Sequence, residues 1–373
     1  MKNIPLSLYI HFPWCINKCP YCDFNSYSAK NFPEESYLQA LIKDLEDDLP
    51  KAQNRKLTSI FIGGGTPSLF LPQTIEKLLD RINKLFAFQD NIEITVEANP
   101  GTFDQDKLKS FYNAGIDRLS VGIQSFQDDK LKALGRIHDA SKAKQAIKMI
   151  QKAGFDNFNL DLMCGLPNQN LEDALSDLKI AMSFNPKHIS WYQLTIEQDT
   201  PFAKTKLKLS SEKLLLDIQE QGSALLNKNG FRHYEVSNFC KPNFKCEHNI
   251  NYWEFGDYLG IGAGAHSKIT IDDEVTRFWK TKNPSKYMNE KFIEGFEIVD
   301  KKTLPLEFML NALRLIDGVP ATLFQARTGL SLNDFEKQLF IAKEKGFLED
   351  YSSVLKTTPL GQKFLNECLL IFC

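Results

Sequence analysis

The sequence predicts an α/β protein: a partial (β/α)6 barrel of the TIM type, followed by a small, mostly helical, winged-helix-like domain. Three observations carry this. Between Pro5 and about Gln193, six short runs rich in β-branched and aromatic residues alternate with longer amphipathic patterns, the signature of repeated βα units and a parallel sheet. Polar residues and glycines gather where each run ends, which suits strand ends collected round one mouth better than ends spread along an open edge. After Thr195 the alternation stops, and from about Pro305 helical patterns dominate.

In chain order, strands are expected at LSLYIHF (6–12), LTSIFIG (57–63), IEITVEA (92–98), RLSVGIQ (118–124), FNLDLMC (158–164) and HISWYQL (188–194). Helices are expected between them at EESYLQALIKDLEDDL (34–49), QTIEKLLDRINKLF (73–86), ASKAKQAIKMIQKAG (140–154) and LEDALSDLKIAMS (171–183). Eight units close a full barrel of roughly 250 residues, so six imply an incomplete one. A helix over about 210–228, then HYEVSNFC and the glycine-rich GDYLGIGAGAHS (256–267), extend the barrel. LEFMLNALRLI, ATLFQART and LNDFEKQLFIAKEKG then lead into FLEDYSSVLKTTPLGQKFLNECLL, read as helices with a short β-hairpin wing. The expected organisation is a core over 1–195, an extension over 196–300 and a C-terminal domain over 301–373.

Composition narrows the function. In the 373 residues, 45 basic and 47 acidic side chains leave a formal charge of −2, with no global attraction for nucleic acid or anionic lipid, so no nucleic-acid partner is expected. The opening MKNIPLSLYIHFPWC lacks a signal peptide's apolar core, and no run approaches the roughly 20 apolar residues of a membrane span. A cytoplasmic protein is expected, and in that reducing compartment clustered cysteines are better read as metal ligands or redox groups than as disulfides. The apolar end FLNECLLIFC has two readings, a membrane-touching surface or a terminal helix docked on the barrel; the second is preferred, leaving at most peripheral membrane contact.

Three of the eight cysteines, Cys15, Cys19 and Cys22, fall in HFPWCINKCPYCDF directly after the first strand. A loop with this spacing can bring three sulfurs to one centre. An iron-sulfur cube held by three cysteines keeps one iron open to another molecule. A zinc ion with Asp23 or His11 as fourth ligand, or three unconnected thiols, are the alternatives. Cys164, Cys240, Cys246, Cys368 and Cys373 read as isolated thiols. GIGAGA (260–265) satisfies a loose dinucleotide pattern, but no hydrophobic strand precedes it and HSKITIDDEV does not look like a helix, so NAD is not expected. Taken singly, Gly-Gly-Gly-Thr-Pro is a loop punctuator, and Glu97, Arg136 and Asp161 are ordinary ion-pair partners. Their joint occurrence at successive strand ends favours a ligand site.

CINKCPYC resembles the signature of the radical S-adenosylmethionine (SAM) enzymes. LYIHFPWC, GGGTPS, EANPG, GIQSF, GRIH and NLDLMCGLP extend that resemblance along nearly the whole chain, to the branch containing oxygen-independent coproporphyrinogen III dehydrogenase and related heme chaperones. The resemblance implies a radical-SAM partial barrel with a [4Fe-4S] cluster at its mouth, held by Cys15, Cys19 and Cys22, with SAM on the fourth iron. It implies that Tyr9 and the Gly64, Gly65 and Thr66 turn line the SAM site, that Glu97, Gln124, Arg136 and Asp161 contact SAM, and that Tyr21 packs on adenine. In this family an electron from the cluster can cleave SAM to a 5′-deoxyadenosyl radical.

Within the branch, three features favour a chaperone. The dehydrogenases carry a further cysteine where this chain has Phe24, and they have a long segment before the cluster loop, for which Cys15 comes too early. HNINYW (248–253) matches the chaperones' His-Asn-x-x-Tyr-Trp pattern. There His248 is a candidate heme-iron ligand, and Tyr252 and Trp253 offer flat apolar surface to a porphyrin; the plainer reading is a turn capped by His248 and Asn249 with the aromatics in the core. His188 precedes a strand, and His11, His138, His233 and His266 carry no independent heme signature. The expected function is therefore binding of heme and its transfer to acceptor hemoproteins, respiratory enzymes among them. Whether SAM is cleaved stays open. The alternative is a coproporphyrinogen III dehydrogenase of porphyrin biosynthesis. A homodimer is typical of the family, although no residue demands it.

Overall fold

The computed structural model describes Met1 and residues 4–372. All six expected runs are strands: β1 (Leu6–Phe12), β2 (Leu57–Gly64), β3 (Phe88–Ala98), β4 (Arg118–Gln124), β5 (Phe158–Cys164) and β6 (His188–Gln193). They pair side by side in chain order, each parallel to the next. Their connections carry α1 (Glu34–Asp48), α2 (Pro72–Leu85), α3 (Gln105–Asn113), α4 (Ala140–Lys152) and α5 (Leu171–Ser183). Local chemistry starts these helices. Asp104 and Asp139 accept N-cap hydrogen bonds from Lys107 and Lys142, Pro72 occupies the first turn of α2, and Asn170 with Asp173 forms a capping box on α5.

The two faces of the sheet differ in character. Leu6, Leu8, Ile10 and Phe12 of β1 join the main apolar core with Leu38, Leu41, Ile75 and Leu78 from the helices. The alternate residues, Ser7, Tyr9 and His11, turn to the other face, where Ser59, Glu93, Thr95, Glu97, Arg118, Ser120, Asn159, Asp161, His188 and Ser190 also stand at every second position along β2 to β6. A strand's period of two thus separates a dry helix-facing layer from a polar inner wall.

Beyond β6, α6 (Glu212–Lys228) leads to the antiparallel hairpin β7 (Arg232–Glu235) and β8 (Asn238–Cys240), with β8 against β6. After α7 (Glu247–Trp253) the chain crosses to the other side of the sheet. There β9 (Asp257–Ile261) lies parallel to β1, and β10 (His266–Ile271), β11 (Glu274–Lys280) and β12 (Ile293–Ile298) follow antiparallel. The twelve-stranded sheet is open among the described residues, in the order β12-β11-β10-β9-β1-β2-β3-β4-β5-β6-β8-β7.

The six expected parallel strands thus gain a seventh, and a buried strand does lead into GIGAGA, contrary to the sequence expectation. Its glycine hides it: a Cβ on Gly260 would lie 2.0 Å from the His266 carbonyl oxygen, so close packing of β10 excludes the β-branched residues that mark strands elsewhere. The turn runs into β10 rather than a helix, so it lacks the helix N-terminus that holds a pyrophosphate in dinucleotide folds.

The C-terminal segment contains α8 (Leu304–Ala312), α9 (Ala321–Thr328) and α10 (Glu336–Glu344), with Val319–Pro320 pairing antiparallel to Val354–Leu355 and Leu348 bridging Thr357 as a wing. Phe308, Met309, Phe324 and Leu339 form a core here with Cys368, Leu369 and Phe372. The terminal apolar stretch therefore docks on its neighbouring helices and not on the barrel as expected, because those helices leave an unfilled apolar face immediately beside it. Among the described residues no helix is long and apolar enough to cross a membrane.

Candidate functional site

The loop after β1 closes on itself. Cys22 N–H donates to Cys19 O at 3.0 Å, the Lys18 ammonium to Phe24 O at 2.8 Å and Ala29 N–H to Cys15 O at 2.9 Å, while Trp14–Cys15 pairs with Tyr27–Ser28. The turn after β2 backs the loop: Gly65 N–H donates to Phe12 O (2.7 Å) and Thr66 N–H to Trp14 O (2.8 Å). A Cβ on Gly65 would stand 2.6 Å from Trp14 O, so glycine is needed here for the approach of two backbones.

Loop and strand ends enclose a cavity of about 380 Å³ lined by Cys15, Cys19, Tyr21, Cys22, Gly64, Gly65, Thr66, Glu97, Gln124, Arg136 and Asp161. Of the residues expected at the SAM and cluster sites, only Tyr9 lies elsewhere, in a neighbouring cavity. Asn99, Ser120, Ser190 and Tyr192 join the lining without having been singled out. Asn99 lies in the quoted EANPG, and the other three obey the inward alternation, the signal that could have found them.

Arg136 joins the cysteine loop to the barrel. One terminal nitrogen donates to Cys19 Sγ at 3.5 Å, the other to Asn99 Oδ1 and to Gly122 O at 2.7 Å, and its buried Nε has no hydrogen-bond partner among the described residues. Asn99 Nδ2 in turn donates to Thr66 Oγ1 (3.1 Å). Gln124 has a left-handed backbone (φ 69°) at a register shift in β4, which brings its side chain to accept from Tyr192 Oη at 2.9 Å. Burial, reinforced by the Asp161 carboxylate, pushes the Glu97 carboxyl up to about 8 despite a hydrogen bond from Gly64 N–H. Burial also raises Asp161, which is held by Ser120 and Asn159. Two carboxyls thus share a wall that a cationic or hydroxyl-bearing ligand would relieve.

Burial likewise pushes the Cys15 and Cys22 thiols up, so both favour the neutral form until a cation compensates them. Among the described residues no three His, Cys, Asp or Glu side chains converge as they would on a single ion. Cys164, Cys240, Cys246 and Cys368 are buried and separate from the loop, although Cys246 Sγ donates to Glu93 Oε1 at 3.4 Å; Cys373 lies outside the described residues.

A second cavity, of about 740 Å³, opens on the other side of the cysteine loop. Tyr9, His11, His248, Tyr252, Tyr258 and His266 form much of its wall, and Lys18 and Phe24 line both cavities. HNINYW is not a capped turn but α7, seated on β1, β2 and β9. Glu93 Oε1 receives the Glu247 N–H (3.1 Å) while Oε2 faces Arg118 at 3.7 Å, and Asn251 Nδ2 donates to Ser7 Oγ and Asp257 O, both at 2.8 Å. His248 lies against Phe61 (ring centres 5.1 Å apart) and Tyr9 (6.3 Å), with Nδ1 3.4 Å from Ser59 Oγ. Burial, helped by Arg118, lowers its pKa to about 4, leaving a neutral imidazole at pH 7. Trp253 faces away from this cavity: it packs on the C-terminal core under the Arg314 guanidinium.

Residues 9–181 match the Radical SAM superfamily and residues 299–364 the HemN C-terminal domain. The whole chain is 50% identical to the heme chaperone HemW of Haemophilus influenzae, covering 98% of that protein, and 46% identical to the heme chaperone HemW of Escherichia coli, covering 99%. The HemW of Bacillus subtilis is 34% identical, over 97% of each chain. The solved structure of coproporphyrinogen III oxidase (HemN) from Escherichia coli, described as a radical SAM enzyme, superposes with a TM-score of 0.84 over 99% of this chain and 90% of that one, at 22% identity, and so shows the shared fold. With a cysteine loop closing the mouth of a parallel sheet and this likeness along its full length, the chain belongs to the radical SAM superfamily and, within it, to the HemW family.

Proposed function

We propose that the protein binds heme and passes it to acceptor hemoproteins, and that it carries a [4Fe-4S] cluster with exchangeable SAM beside the heme. The observation that carries this reading is the second cavity, whose aromatic and imidazole walls and rim lysines, Lys18 and Lys282, suit a flat macrocycle with an iron centre and anionic propionates.

The first cavity suits the other two groups. Cys15, Cys19 and Cys22 line it together, as the ligands of one centre would, and Arg136 reaches the Cys19 sulfur. Glu97 and Asp161 complement the ammonium, sulfonium or ribose hydroxyls of SAM, and the Arg136 guanidinium lines the same cavity as a partner for its carboxylate. When bound, the cluster and SAM supply one-electron reductive chemistry. The chain's own residues bind, orient and shield them: burial and Asp161 hold Glu97 towards its neutral form against the pull of the Gly64 N–H, and Gln124 is locked by Tyr192. Respiratory enzymes as acceptors, a cytoplasmic location and a homodimer belong to the same reading.

Hemin titration of the anaerobically purified protein tests it. A saturable Soret shift at one heme per chain, transfer to an apo-hemoprotein, and no conversion of coproporphyrinogen under reducing conditions are expected. Stoichiometric turnover to protoporphyrinogen would instead establish the dehydrogenase.

A further inference from the structure

The second cavity holds three histidines, and their surroundings separate them. His11 is fully committed. Its Nε2–H donates to Asn25 O at 2.8 Å, which leaves Nδ1 to accept from Tyr9 Oη at 3.0 Å. His248 has Nδ1 beside Ser59 Oγ and its ring against Phe61 and Tyr9, so only Nε2 is free, from a fixed position on the floor. His266 differs from both. It is exposed, its ring lies along Trp279 (6.5 Å between centres, 27° between planes), and neither ring nitrogen has a hydrogen-bond partner among the described residues.

The backbone under His266 is nonetheless rigid. His266 opens β10 opposite Trp279 of β11, Ala265 N–H donates to Gly262 O (3.0 Å) and Lys280 N–H to Ala265 O (2.8 Å). Asn25, three residues past the last cysteine of the loop, clamps this turn: Nδ2 donates to Ala263 O at 2.8 Å and to Lys282 O at 2.9 Å. A rigid mount carrying an imidazole with two uncommitted nitrogens, on the wall of a cavity that His248 also faces, is a preorganised ligand in waiting.

Resting on the heme-binding reading above, we propose that His266 is an axial ligand to the heme iron, the outer and exchangeable one, while His248 Nε2 supplies the inner one. An acceptor protein would then take heme by replacing the exposed His266 first, and the half-buried His248 would let go last.

The test uses the full-length protein loaded with one equivalent of hemin. Wild type is expected to give a six-coordinate, low-spin ferric spectrum by absorbance and electron paramagnetic resonance. His266→Gly should turn it five-coordinate and high-spin and speed heme loss to apomyoglobin roughly tenfold, a modest loss for one exposed ligand. Added imidazole should restore the low-spin spectrum in His266→Gly, a rescue that a merely structural histidine would not show. Because His266 is exposed, the variant is checked for an unchanged circular-dichroism spectrum. If wild type binds hemin saturably and His266→Gly keeps both spectrum and release rate, the ligand assignment fails and the heme reading survives. If wild type binds no heme saturably, both fall.

Discussion

The two cavities flanking the cysteine loop share a wall and differ in nearly everything else. The smaller is lined by carboxyls, amides, one guanidinium and three thiols, most of them carried by the parallel strands and the loops that follow them. The larger is lined by tyrosines and imidazoles from β1, α7 and the β9–β10 turn, regions far apart in sequence. The difference teaches how one sheet can build two unlike walls: charge paired with hydrogen-bond donors suits a small polar molecule, whereas flat rings and neutral imidazoles suit a large, metal-centred one.

The comparison implies that the cavities can be disabled separately. The largest effect is expected from Cys19→Ala, which should reduce protein-bound iron and sulfide to near zero while hemin affinity changes less than about threefold, well under the 1.4 kcal/mol of a tenfold shift; a parallel collapse of heme binding would show the two sites to be one.

Next comes the seat of α7. Glu93 is buried against Arg118 and caps α7, so Glu93→Ala leaves a buried guanidinium unpaired. Denaturant unfolding should report a loss of about 3–5 kcal/mol, and both ligands should bind more weakly. No loss of stability would mean that the other contacts of α7, those of His248, Asn251 and Trp253, seat it without Glu93.

Smaller and confined to the first cavity is Arg136→Lys, which keeps the charge but loses the fork that reaches Cys19, Asn99 and Gly122. SAM affinity should drop roughly ten- to a hundredfold, as for one charge-assisted hydrogen bond of about 1.5–3 kcal/mol, with hemin titration unchanged.

The smallest effect is a proton. Glu97 is held near 8, above its ordinary 4.5, so at pH 7 it is mostly protonated in the free protein, and a cationic ligand beside it should drive the proton off. Calorimetry in buffers of different ionisation enthalpy should find up to one proton released per SAM bound, and none in Glu97→Gln. The sign also fixes stability. The folded state holds this proton more tightly than the unfolded chain, so the Glu97 contribution is fully present below about 4.5 and is lost as pH rises to about 8. Glu97→Gln should therefore flatten the ligand-free protein's stability profile across that window.

Much of the first cavity was legible because its information is local. Cysteine spacing, a glycine turn and the polar residue ending each strand can be read a few positions at a time, and the inward alternation follows from the strand period alone. The second cavity was legible only at HNINYW, and even there the expected turn is a helix and Trp253 points to another core. His266 carried no sequence signal at all, since one histidine after a glycine-rich segment is compatible with many roles.

By itself, then, the sequence determined the alternation of strand and helix, the parallel sheet and the three-thiol loop, because each depends on periodicity or spacing within one short segment. Only the tertiary structure decided that β9 returns to lie beside β1, that Glu93 seats α7 inside the sheet, and that His11, His248 and His266 face one space. Those are matters of register and crossover between residues up to two hundred and fifty-five positions apart, and no local pattern of side chains encodes which distant strand a glycine-rich segment will find.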